Sequence, residues 1–135
     1  MIEPTFDKEG YPTEETLETI KNWKIEDFQK DIEELLLYIC HAWHWEKFAS
    51  NVRPGIWTFA TGGWFGNKAL LNALYQSSEA WLFILVYGNT IELEGGFLCI
   101  ATTKEAKKEM KKLQDKIVRW GWKEAKEKNR KNKCQ

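Results

Sequence analysis

The sequence predicts one α+β domain. A small antiparallel sheet of about three strands is packed by two N-terminal helices, one middle helix and a long C-terminal amphipathic helix. Three observations predict it. Apolar residues recur at helical spacing before residue 44 and again after residue 103; short β-rich runs lie between; and glycine clusters at 61–66 and 95–96 punctuate those runs. A chain of 135 residues suits a single modest core, with 1–128 as the domain and 129–135 as a frayed basic tail.

Taken in order, Pro12-Thr13-Glu14-Glu15 reads as a helix start, with Thr13 as cap and two carboxylates near the positive helix end. Leu17, Ile20 and Trp23 form its apolar stripe. A second helix is expected from Glu26, with Phe28, Ile32, Leu35, Leu36, Ile39 and Trp43 on one face. If it runs to residue 48, then Leu37, His41, His44 and Phe48 form a second possible contact face. Arg53-Pro54-Gly55 ends that pattern, and Ile56–Ala60 reads as a strand. Residues 68–78 read as a helix. The run Trp81–Tyr87 reads as a buried strand whose partner, Phe97–Ala101, returns after a turn. Residues 103–128 read as one amphipathic helix with Ala106, Met110, Leu113, Ile117 and Trp120 inward.

The formal net charge is zero, but charge is segregated. Residues 1–50 hold 5 basic and 12 acidic side chains, 51–103 hold 2 and 3, and 104–135 hold 13 and 5. That excludes a uniformly basic nucleic-acid binder. Hydrophobic residues at 43% exclude an intrinsically disordered chain. The longest apolar run is strand-sized, far short of the roughly 18 residues of a membrane span. The N-terminus lacks a basic-then-apolar leader, and three widely spaced cysteines, Cys40, Cys99 and Cys134, suit reduced thiols. A reducing cytoplasm is therefore the expected compartment, without membrane contact.

The most informative segment is Thr61-Gly62-Gly63-Trp64-Phe65-Gly66-Asn67. Glycines that let backbone amides point inward, next to a helix start, make a geometry able to bind anions, and Trp64 or Phe65 offers a stacking ring for a nucleotide-like ligand. The segment is neither a Walker loop nor a dinucleotide fingerprint. The alternative is a tight strand-to-helix turn with Asn67 as cap and Trp64 in the core. His41 and His44 lie three residues apart, yet a zinc site needs further ligands that the sequence does not supply, so neither metal nor cofactor is expected. A hydrolase or metalloenzyme built on His41, His44 and Glu46 is the enzymatic alternative. There is no nucleophile elbow, and neighbouring Cys40 and His41 point about 100° apart on a helix. Lys107, Lys108, Lys111, Lys112, Lys116 and Arg119 form a possible phosphate-contacting face. The interspersed Glu105, Glu109 and Asp115 offer i,i+4 partners instead.

Several pieces together resemble a family of small phage and prophage proteins. They are Gly10-Tyr11-Pro12-Thr13-Glu14-Glu15-Thr16-Leu17 with Ile20-Lys21-Asn22-Trp23, then Thr61-Gly62-Gly63-Trp64 with Gly66-Asn67, then Trp81 and Gly95-Gly96-Phe97. The family pattern in the loop is T-G-G-W-S-G-N-E, from which this chain departs at Phe65 and Lys68. The resemblance implies a phage accessory role and supplies no catalytic residue. With 8 tryptophans and a bipolar charge, the expected function is a non-enzymatic binding protein. It would inhibit a host or defence-system protein by contact, with a small ligand at 61–67 or nucleic acid on the C-terminal helix as alternatives.

Overall fold

The computed structural model describes residues 3–44, 49–93 and 96–119. It is an α+β fold whose sheet lies between two unequal helical layers. Helix α1, Glu14–Lys21, starts where expected: the Thr13 hydroxyl accepts the amide of Thr16, and Glu14 and Glu15 occupy the first turn. Helix α2, Phe28–Ala42, buries Ile32, Leu35, Leu36 and Ile39. Its entry is tied by the Asp31 carboxylate, which accepts the amides of Glu26 and Asp27 at 2.7 and 2.9 Å. Those bonds hold the Asp31 carboxyl below its ordinary range.

Helix α2 ends at Ala42, earlier than its pattern suggests. Trp43 turns extended, and its indole N–H donates to the carbonyl of Ala60 at 3.1 Å. Tertiary bonds there override the local helical period. The chain then enters β1, Ala49–Arg53, a strand the periodicity did not reveal. Strand β2, Ile56–Ala60, follows through a turn at Gly55, whose φ is +81°.

Helix α3 spans Phe65–Tyr75, three residues earlier than the sequence reading. The stretch read as a buried strand is helix α4, Ala80–Tyr87. An eight-residue apolar run carries no period that separates strand from helix. The neighbouring hydroxyl decides: Ser77 Oγ accepts the amide of Ala80 at 3.1 Å and starts a new turn. Helices α3 and α4 meet at a 74° bend. The hairpin's first strand is instead β3, Asn89–Leu93, which returns into β4, Phe97–Ala101.

The sheet therefore has four strands, in the order β1-β2-β4-β3, all antiparallel. Trp57, Phe59, Leu98 and Ile100 face one side and pack with α1 to α4. Ile56, Ala60, Phe97, Cys99 and Ala101 face the other, under helix α5, Lys104–Lys112, whose Ala106 and Met110 are buried. The long C-terminal helix is corrected to this shorter one. The helix ends at Lys112, and the chain turns at Leu113 with φ −95° and ψ 5°. Helical backbone resumes over 114–119, where Ile117 still touches the core. The expected continuation to residue 128, Trp120 and the tail lie outside the described residues. Among the described residues no single helix is long and apolar enough to cross a membrane.

Candidate functional site

The glycine-rich loop sits at a corner where four distant parts of the chain meet. Gly62 and Gly63 adopt φ of 63° and 80°, values that a side chain would strain. The Thr61 amide donates to the Gly96 carbonyl at 2.8 Å, tying the loop to the β3–β4 hairpin. A Cβ on Gly96 would fall 2.0 Å from Thr61 Oγ1, so that crossing requires glycine. The Trp64 amide closes the turn onto the Thr61 carbonyl.

Asn67 is not the helix cap expected of it. Trp64 holds the cap position, without a side-chain bond, and Asn67 lies fully buried in the first turn of α3. Its amide staples three backbone groups. Oδ1 accepts from the amide of His44 at 2.9 Å, and Nδ2 donates to the carbonyls of His44 and Thr61 at 3.0 and 3.2 Å. The exit of α2 and the loop are thus locked to one side chain.

Trp64 is half-buried rather than displayed. Tyr11 lies against its indole with ring centroids 4.9 Å apart and planes 25° apart, and His44 lies at 4.6 Å and 36°. Gly66 completes the enclosure, since a Cβ there would come within 2.2 Å of the indole. Tyr11 is positioned by its own turn, in which Asp7 Oδ1 accepts the amides of Glu9 and Tyr11. Phe6 bridges to Pro12 across that turn. Phe65 remains outside this packing: its side chain is 72% exposed, with Lys68 Nζ 5.1 Å above the ring.

The other expected site residues separate. Leu37 and His41 are exposed on α2, whereas His44 has left the helix to pack on Trp64, and Phe48 lies outside the described residues. Leu37, His41 and His44 do not make one helical face, because the helix ends at Ala42. Lys108, Lys111 and Lys112 are exposed and Lys107 half-buried on α5, with Lys116 and Arg119 beyond the break. Glu109, amid those lysines, pairs with Arg53. Among the described residues no three His, Cys, Asp or Glu side chains converge to hold a metal.

Two features lay beyond the sequence reading. Tyr11, named only within the segment Gly10–Leu17 that carries the resemblance, supports Trp64. Exposed Leu82, Leu85, Val86 and Tyr87 on α4 were hidden by the strand reading. Comparison with protein-family models, with curated proteins and with solved structures finds no match to this chain.

Proposed function

We propose that this is a non-enzymatic binding protein of the phage type its sequence resembles, acting on a host or defence-system protein by direct contact. One observation carries the reading: Phe65 is held out at the start of α3, beside a loop tied to the exit of α2 and to the β3–β4 hairpin. Binding energy concentrates in rigid aromatic anchors, because little conformational freedom is lost when they are buried. Here the anchor's backbone is held by the Asn67 staple, by the Thr61–Gly96 bond and by the Tyr11–Trp64–His44 stack. Phe65 and Lys68, the two departures from the resembling pattern, touch each other on the surface of this corner.

The small-ligand alternative loses its best ring. Stacking a base on Trp64 would require displacing Tyr11 or His44, which leaves only Phe65 for that role. Nucleic-acid binding along α5 is supported by its exposed lysines and weakened by the Arg53–Glu109 pair among them.

Capture from bacterial lysate with wild-type and Phe65→Ala protein tests the proposal. A host protein retained by the wild type is expected to be lost with the variant, while its unfolding midpoint stays close to that of the wild type. Equal capture by both proteins contradicts the proposed site.

A further inference from the structure

A second surface lies away from this corner, at the β3 edge of the sheet. Among the described residues, strand β3 has β4 on one side and no strand on the other. The Thr90 amide bonds to Asn89 Oδ1 at 3.0 Å rather than to β4. Thr90, and by alternation Glu92, therefore direct their backbone groups out of the sheet. An outer edge of this kind is a template for another strand.

Both faces of the sheet reach this edge with apolar surface uncovered. On the α5 face, Ile91 and Leu93 are only partly buried. On the other, α4 runs directly into β3 through Gly88, and Ala80 and Ile84 turn inward. Leu82, Leu85 and Val86, spaced i, i+3, i+4, form the opposite ridge and are 58, 55 and 59% exposed. Tyr87 is also exposed but turns aside to pack on Phe28 and Phe83, and α4 carries no Asp, Glu, Lys or Arg. At its start, Lys24 and Glu79 neutralise each other at 3.6 Å. An uncharged ridge selects neither an acidic nor a basic partner.

The strand is complementary to itself. Antiparallel pairing about a two-fold axis at Ile91 sets Thr90 opposite Glu92 of the second copy, both with outward backbone groups. Ile91 then meets Ile91, and Asn89 meets Leu93. No like charges face each other in that register, and a threonine hydroxyl stands opposite each carboxylate. Three half-exposed α4 side chains, with the partly exposed Ile91 and Leu93 of β3, offer on the order of 400 Å² of contact. With a strand pair added, this approaches the ~800 Å² per partner of a standard interface.

We propose that two copies of this chain associate through β3, joining their sheets into one of eight strands and bringing their α4 ridges together. Asn89 covers the Thr90 amide in the single chain and must rotate away, which makes it a gate on association.

Sedimentation velocity of the full chain over about 1 to 200 µM tests this, a range spanning ordinary weak dimers. A shift toward twice the monomer mass is expected. At high concentration the amides of Thr90 and Glu92 should exchange hydrogen about tenfold more slowly. Thr90→Pro removes an outward donor and leaves the β4 ladder, and Leu85→Glu places charge on the ridge; each is expected to restore the monomer. Asn89→Ala should tighten the dimer, and Phe65→Ala should leave it unchanged. A monomer throughout, Asn89→Ala included, overturns the proposal. So does a dimer that resists both Thr90→Pro and Leu85→Glu.

Discussion

Asn67 shows how much one buried amide can organise. Replacing it by alanine strips partners from two carbonyls and one amide in a dry corner, and each abandoned group costs roughly 1–3 kcal/mol. Asn67→Ala is expected to destabilise the protein by about 3 kcal/mol in denaturant unfolding. The near-UV signal of Trp64 should weaken with it. Phe65→Ala, by contrast, should fall within about 0.5 kcal/mol of wild type, because the ring touches little but Lys68. Asn67 stood out in the sequence as a helix-start residue; its tertiary partners at residues 44 and 61 were not legible, because nothing local encodes them.

Two further side chains set a pH limit. Burial pushes the Cys99 thiol up to about 12, and burial with the Glu92 carboxylate pushes the Tyr75 hydroxyl up to about 12. Both folded values lie above the ordinary ones, so the folded chain keeps protons that the unfolded chain releases. Their contribution is complete below about pH 9 and is lost as pH rises toward 12. The melting temperature should fall across that window, and less steeply in Cys99→Ala and Tyr75→Phe.

Among the elements, those with a cap or a one-sided stripe were legible. Thr13 capped α1 as read, and the stripe of α2 became its buried face. Thr13→Ala is expected to cost about 1 kcal/mol, measurable as a lower unfolding midpoint. Helix α4 was misread because its sequence is apolar on every side, and β1 was missed because Ala49-Ser50-Asn51-Val52-Arg53 has little β character of its own. Pairing with β2 makes it a strand. In the loop, Gly66→Ala would drive a methyl into the Trp64 indole. That change is expected to displace Trp64 and lower stability; the sequence reading places Gly66 in the loop before the helix and gives no sign of the indole beside it.

Across the whole molecule, the zero net charge resolves into two layers. Among the described residues, acidic α1 and α2 lie on one face of the sheet and basic α5 on the other, with the core between them. The α+β class was readable from periodicity and glycine spacing. The corner was not, because it joins residues 11, 44, 64 and 96, which share no local pattern. Its parts were nevertheless the segments that stood out individually, Gly10–Leu17, Thr61–Asn67 and the glycines before Phe97. A photo-crosslinking residue at position 65, compared with one at exposed Lys108 on the opposite layer, tests the corner as a binding site most directly. One host protein, joined at 65 and absent at 108, is the predicted result; identical products from both positions, or none from 65, would contradict it.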